Sequence, residues 1–462
     1  MRRTLILITA VGLALVVSMS ALGVLTLAGP GKSSGLAEPE PVVREVVEDE
    51  PIADADWTVI VYHDGDNNLE SSAIGDVLEM EKIGSKAGVN VIVLMDTLTA
   101  FEGTHWYYIG QGTEHVNLDD GTHICDCETI TGEPCPGEIN MADGASLTYC
   151  IETAVAFAPA KNYMLVLWDH GGGWYGVCWD DSSALPDGRS DRLTVDETGN
   201  AIAAAGVDLQ VIAFDACFSG CVEFAYELKD FADYMAASIT TVPGAGFAYE
   251  NLIAGLTENS AMSPYDAAKL IADTYVQSYA CSGSGIGGYP YVEMSVIDLS
   301  KVGDLVTGDG GIDDLAEALM PFTDDMTYRG LIESSESMTP QIQFSGEAFP
   351  FIDLGMFALA LGENIPELSE ITEKLLAHVK ETVVYLDFVA TATDACMRTY
   401  GISLYFTCSW NYLYEDYGYE TYEEAEAAGA LPYYGMDIAI DSDWDEFLEA
   451  FAVAQAEVQP GG

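Results

Sequence analysis

The chain has 462 residues, more than one ordinary domain holds, and its 49% hydrophobic and 10% aromatic content excludes wholesale disorder. Its 16 Lys and Arg face 75 Asp and Glu, a formal net charge of −59. Such a surface repels phosphate backbones, which excludes nucleic acid as a partner, and attracts divalent ions and basic peptides; solubility in a salty medium, where repulsion is screened, is the plainer account of the charge.

At the start, Met1-Arg2-Arg3 precedes an uncharged run from Thr4 to Gly29. That run exceeds the ~7–15 residue core of a cleaved signal peptide. It is long enough to cross a bilayer, which takes about 20 residues. The two arginines on its short flank orient the N-terminus inward. The expectation is a signal-anchor over residues 1–29, with the rest of the chain outside the cytoplasm and residues 4–29 in the membrane. A cleaved signal peptide and a secreted product form the other reading. No cysteine lies in residues 1–30, so a lipid-modified cysteine there is excluded. Residues 30–55, rich in Pro and Glu, read as an acidic, self-repelling linker.

From Trp57 the pattern changes. Trp57–Tyr62, Val89–Met95, Tyr163–Asp169 and Leu209–Asp215 are short apolar runs of strand length, and Met235–Ile239 is a weaker fifth. Helical stretches lie between them, at Ser146–Phe157, Thr194–Ala205 and Ser219–Phe231. Buried strands alternating with helices predict an α/β fold over residues 56–298, with a mostly parallel sheet covered on both faces. Ligands bind such sheets beyond the carboxyl ends of the strands. Residues 299–462 carry helical stretches at Asp313–Phe322, Leu368–Phe388 and Trp444–Ala452, and a strand at Gly401–Thr407. They read as a C-terminal α/β extension, either widening the sheet or forming a smaller second domain.

Two strand ends carry chemistry. The third runs Trp168-Asp169-His170-Gly171-Gly172-Gly173-Trp174, and the fourth runs Phe214-Asp215-Ala216-Cys217-Phe218-Ser219-Gly220. One crossover helix fits between them, so His170 and Cys217 would stand over the same sheet edge. A thiol at neutral pH is mostly protonated, and an adjacent imidazole can take its proton. A helix starting near Ser219 would lower the thiol's pKa through its N-terminal dipole. The N–H groups of Gly171 and Cys217 could form an oxyanion hole. A buried cysteine or a lone histidine is usually structural. The two together, at matching strand ends with three glycines, favour a catalytic pair. His63, after the first strand, is a lower-ranked base, and Cys178 and Cys221 are alternative thiols.

Ten cysteines are present, so one catalytic thiol leaves an odd number. The insertion from Asp119 to Cys135 carries Cys125-x-Cys127 and Cys135. Outside the cytoplasm disulfides are the favoured use of these residues. The alternative is zinc, with His115, His123 or Cys150 completing the ligand set.

The quoted motifs resemble the clostripain family, within the caspase, legumain and gingipain group. The resemblance rests on Trp57–Glu70 (WTVIVYHDGDNNLE), Gly137–Met141 (GEINM), the His170-Gly171 and Asp215-Ala216-Cys217 strand ends, Glu223–Leu228 (EFAYEL) and Gly401–Phe406 (GISLYF). It covers most of residues 57–451. It implies a caspase-like three-layer sandwich and a cysteine endopeptidase acting on peptide or protein substrates, with no cofactor in the chemistry. Family members typically cleave after Arg or Lys, and by analogy Asp215 helps form the acidic pocket for that side chain. The stretch Ser238–Glu250 departs from the family. Ala245 stands where an acidic residue is common, Phe247 replaces Trp, and Ile239 and Thr240 replace another commonly acidic stretch, so the pocket should hold a basic side chain less tightly. Calcium dependence in the family makes Asp180 and Asp181 calcium candidates, with Asp187 and Asp191 nearby. Two other function classes compete: a non-catalytic cell-surface binding protein retaining the fold, and a cation-binding envelope protein suggested by charge alone.

Overall fold

The computed structural model describes residues 51–456 except 102, 113–114, 118–121, 186–189, 282–290, 340–342, 345–346, 349, 391–398 and 408–431. The expected anchor at residues 1–29, most of the linker, Asp187, Cys396 and Cys408 lie outside the described residues. Contacts divide the chain into Met1–Val47 and Glu48–Gly462, and everything that follows concerns the second unit. Among the described residues no helix is long and apolar enough to cross a membrane.

The apolar runs become the strands of one eight-stranded sheet. In chain order these are β1 (Ala55–Gly65), β2 (Val89–Thr97), β3 (His105–Tyr108), β4 (Ala160–Trp168), β5 (Leu209–Asp215), β6 (Ala232–Ala237), β7 (Tyr291–Asp298) and β8 (Val383–Ala390). Their spatial order is β8-β7-β6-β5-β4-β1-β2-β3. The five central strands are parallel, and β3, β7 and β8 add antiparallel edges.

Both faces are buried, which is why the central strands read as continuous apolar runs. Successive residues feed opposite layers. Ile60, Tyr62, Leu165, Leu167, Ile212 and Phe214 belong to one core. Val59, Val61, Met164, Val166, Val211 and Ala213 belong to the other. The first core is covered by helices α2 (Gly144–Phe157), α3 (Val195–Ala205) and α4 (Val222–Leu228). The second is covered by α1 (Glu70–Ile83), α5 (Tyr249–Glu258) and α6 (Pro264–Cys281). The result is the three-layer sandwich expected. Each fully buried Val, Leu or Ile contributes roughly 1.5–3 kcal/mol to holding the layers together.

Local signals set the helix ends near the site. Asp143 caps α2 by accepting from the Ala145 N–H. Thr194 and Glu197 form a reciprocal capping box at the start of α3, and Gly206 ends that helix in the left-handed conformation.

Three expectations are revised. The helix expected over Ser219–Phe231 is shorter, Val222–Leu228. Residues 217–221 are drawn into other bonds: Phe218 N–H donates to Thr240 O, Gly220 N–H to Ser238 O, and Ser403 N–H to Gly220 O. The helix expected over Leu368–Phe388 ends at Thr382 and continues as β8, because its β-branched Val383 and Val384 pair along β7. Within the expected Gly401–Thr407 strand, Ser403–Tyr405 forms a strand, but it pairs with Phe351–Asp353 in a separate small sheet.

The chain runs from β1 outward to β2, then returns to β4 on the other side of β1. The order therefore reverses at the β1–β4 boundary. Beyond the carboxyl ends of these strands lies the crevice in which open α/β sheets bind ligands.

Candidate active site

Strands β4 and β5 are parallel neighbours with Trp168 opposite Asp215. His170 and Cys217 each follow that pair by two residues, so the sheet carries both to the same edge. Asn67 and Asn68 arrive from the end of β1, on the other side of β4.

The loop after β4 lies very close to the Cys217 backbone. A Cβ on Gly171 would sit 2.1 Å from Cys217 O and 2.8 Å from Cys217 N. Only glycine permits that approach. The Gly171 N–H reaches the Cys217 sulfur, which also receives the Val242 N–H at 3.3 Å. Among the described residues nothing accepts from the Cys217 N–H. A Gly171→Ala substitution is expected to displace the two strand-end loops and lower kcat/KM by about 10²-fold, the usual cost of ~1 Å of misplacement. Steady-state kinetics on the folded variant checks this; unchanged activity would mean that the loops close differently.

Burial shapes the resting charges. The Cys217 thiol is pushed up to about 11, chiefly by burial and with the Asp169 and Asp215 carboxylates adding to it, against the opposing Val242 and Gly171 hydrogen bonds. The expected lowering by a helix dipole is not found, because α4 begins five residues further on, at Val222. Burial also lowers His170 below its ordinary value, against an opposing push from Asp181. The pair therefore rests as a neutral thiol beside a neutral imidazole. Iodoacetamide should then alkylate Cys217 roughly 10²-fold more slowly than an ordinary thiol of pKa ~8.5 at neutral pH. The rate should climb about tenfold per pH unit toward pH 11. Mass-spectrometric mapping of labelled Cys217 across pH measures this, and a plateau below pH 8 would contradict it.

His170 Nε2 lies 3.1 Å from Asn68 Oδ1. A carbonyl oxygen only accepts, so Nε2 carries the proton and Nδ1 holds the lone pair. Among the described residues the side chains of His170 and Cys217 bond to Asn68, Val242 and Gly171, not to each other. Asn67 stitches the loops behind them: its Nδ2 donates to Asp169 Oδ1 at 2.7 Å and to Trp179 O at 2.9 Å.

Asp215 is buried at the end of β5. Its Oδ2 accepts from the Phe247 N–H at 2.8 Å and the Tyr249 hydroxyl at 3.1 Å, while its Oδ1 has no partner among the described residues. Burial raises it to about 7. The Pro243–Phe247 turn lies over it so closely that a Cβ on Gly246, where φ is +52°, would meet Oδ2 at 2.6 Å.

The lower-ranked residues fall away from the edge. His63 lies within β1 with no exposed surface, its ring 4.3 Å from that of Trp168, and burial lowers it to about 3. Cys178 and Cys221 are fully buried, and burial raises both thiols.

A second constellation went unseen in the sequence. Carboxylates of Asp66, Asp96, Glu138 and Asp180 gather with ligand atoms within 4.8 Å of one another. Asp66 Oδ1 is buried without a hydrogen-bond partner among the described residues. Burial and mutual repulsion raise Asp96 to about 8 and Asp180 to about 6. Asp180 was a calcium candidate and belongs to this group. Asp181 does not, and its carboxylate accepts from Ser190 Oγ instead. The four residues come from four separate segments, so no local motif could have announced them.

A histidine and a cysteine at adjoining ends of a mostly parallel, helix-covered sheet define the caspase-like α/β class. The fold matches a secreted C11 cysteine protease from Bacteroides thetaiotaomicron, solved with an irreversible peptide inhibitor, with a TM-score of 0.54 and 22% identity over 84% of this chain and 99% of that one. It also matches an inactive zymogen C11 protease from Parabacteroides distasonis, with a TM-score of 0.56 and 17% identity over the same shares. The chain belongs to the clostripain family, whose model matches residues 61–451. Clostripain of Hathewaya histolytica is 31% identical over 223 residues, 42% of this chain; the match spans 41% of that relative's length.

Proposed function

We propose that the protein is a cysteine endopeptidase in which Cys217 attacks the scissile carbonyl and His170 shuttles the proton. The observation that carries this is the placement of both residues just past a register pair of adjoining parallel strands, with Gly171 pressed against the Cys217 backbone. In the free protein the thiol is protonated, so attack couples to proton transfer onto His170 Nδ1. The S–H bond breaks, a C–S bond forms, and the carbonyl electrons move onto oxygen. The Cys217 N–H, with the Gly171 N–H turning from sulfur to substrate, would stabilise that oxyanion. Imidazolium then protonates the leaving amine, and water hydrolyses the thioester with His170 acting as base.

The vacant Oδ1 of Asp215 would receive the cationic end of an Arg or Lys side chain before the cut. With Ala245 and Phe247 in the overlying turn, Asp215 would act with few helpers, so the preference should be modest. The acidic quartet fits a hard divalent cation, which takes six to eight oxygens at ~2.3–2.6 Å. Asp66, Asp96, Glu138 and Asp180 would hold calcium, which would fix the loops carrying Asn67 and Asn68; the chemistry itself needs no ion. The secreted homologue and the expected N-terminal segment support a place outside the cytoplasm, anchored or released, and residues 56–298 would carry the catalysis with 299–462 as its extension.

A peptidyl acyloxymethyl ketone ending in Lys tests the assignment. Peptide mapping should find one adduct, on Cys217, and substituting Asp215→Asn should slow labelling by the Lys probe more than labelling by a neutral one. An adduct on Cys178 or Cys221, or none at all while peptides are still cut, would overturn it.

A further inference from the structure

The insertion that follows β3 gathers sulfur and imidazole in one place. Cys127 is joined to Cys135 in a disulfide, in line with the disulfides expected there. The Cys125 sulfur lies only 3.0 Å from that of Cys135. A ring nitrogen of His105 joins the Cys125 and Cys135 sulfurs in a group whose ligand atoms all lie within 4.8 Å. Two of the three residues considered from sequence as a fourth ligand are engaged elsewhere. His115 is held between Glu81 Oε1 at 2.9 Å and Asp126 Oδ2 at 3.0 Å, and Cys150 is buried in α2. His123 packs edge-on against His105, with ring centroids 4.4 Å apart.

We propose that His105, Cys125, Cys127 and Cys135 form a four-ligand site for a thiophilic divalent cation, zinc, when the three thiols are reduced. Three thiolates and one imidazole are a regular structural zinc set. His105 is placed for the role: one of its ring nitrogens already lies within 4.8 Å of the Cys125 and Cys135 sulfurs. The Trp106 N–H points at Cys127 Sγ at 3.4 Å and would stabilise a thiolate there. Arms of about 2.3 Å give a tetrahedron with sulfur–sulfur edges of about 3.8 Å, which the clustered sulfurs reach by side-chain rotation. Cys125 and Cys135 are partly exposed, which gives an ion a way in.

Disulfide and metal are alternative states of one cluster. The disulfide uses two donors and leaves Cys125 unpaired. Returning to the metal-binding state takes two electrons and two protons from a dithiol, which is itself oxidised to a disulfide; zinc then displaces the thiol protons to water. The cation would pin the insertion to edge strand β3 through His105. It would also pin the stretch from Cys135 to Gly137, which bridges to Thr104, just before Glu138 enters the acidic quartet. The site thus reaches the loops of the catalytic edge without touching substrate.

Cobalt(II) titration of the metal-free full chain, held in a phosphine reductant, tests the proposal. One equivalent should bind with strong sulfur-to-cobalt charge-transfer absorption and be displaced by zinc. Cys125→Ser and His105→Ala should each weaken binding at least tenfold, while Cys150→Ala should leave it unchanged. If reduction loosens the fold, cobalt uptake should restore the native near-ultraviolet signal, because such sites couple binding to folding. Absence of charge-transfer absorption when alkylation shows all three thiols free, in folded or unfolded protein, would overturn the proposal. So would binding indifferent to Cys125→Ser.

Discussion

Replacing Cys217 by alanine is expected to lower kcat/KM for peptide hydrolysis by about 10⁴-fold or more, down to what binding and the oxyanion site alone provide. The fold should survive. Among the described residues the Cys217 sulfur makes only backbone hydrogen bonds, at a partly exposed strand end, and losing one sulfur atom there costs about 1 kcal/mol or less. A melting temperature near that of the wild type, together with lost activity, separates a catalytic from a structural role. Retained activity would move the nucleophile elsewhere.

His170→Ala should cost about 10²–10⁴-fold, the usual contribution of a positioned base. Its pH profile is the sharper readout. With its pKa lowered by burial, His170 keeps its lone pair below its ordinary value of 6.5, so wild-type activity should hold to below pH 6.5 before falling. Without the imidazole, the rate should follow the thiolate fraction alone and rise steadily toward pH 11. A variant that kept the wild-type acid limb would show that another group is the base. Asn68 Oδ1 accepts from this imidazole, and an Asn68→Ala variant should show a weaker form of the same loss.

Much of this was legible in the sequence for a simple reason. Strands buried on both faces are written as unbroken apolar runs, and the end of such a run marks the sheet edge where chemistry sits. Trp168 and Asp215, the last residues of strands β4 and β5, are register partners, and the ends of the two runs, one residue apart in that register, let His170 and Cys217 be paired before any coordinates. The edge strands were harder. His105–Tyr108 is four residues long, and Val383–Ala390 follows a helix without a break; tertiary pairing rather than local pattern decides both. The helix after Cys217 was overestimated because bonds to Thr240, Ser238 and Ser403 cannot be read locally. Asn68, the acidic quartet and His105 were missed because each acts across segments distant in sequence. His63 stood out by its place after a strand, and only its contact with Trp168 shows it to be core.

The central claim is that Cys217 makes this chain a peptidase. The most direct measurement is cleavage of a mixed peptide library by the wild-type chain beside the Cys217→Ala variant, with and without calcium and after limited proteolysis to permit activation. The account predicts cutting, modestly enriched after Arg and Lys, that disappears in the variant. Cutting that persists in the variant, or none from either chain under any of these conditions, would contradict it.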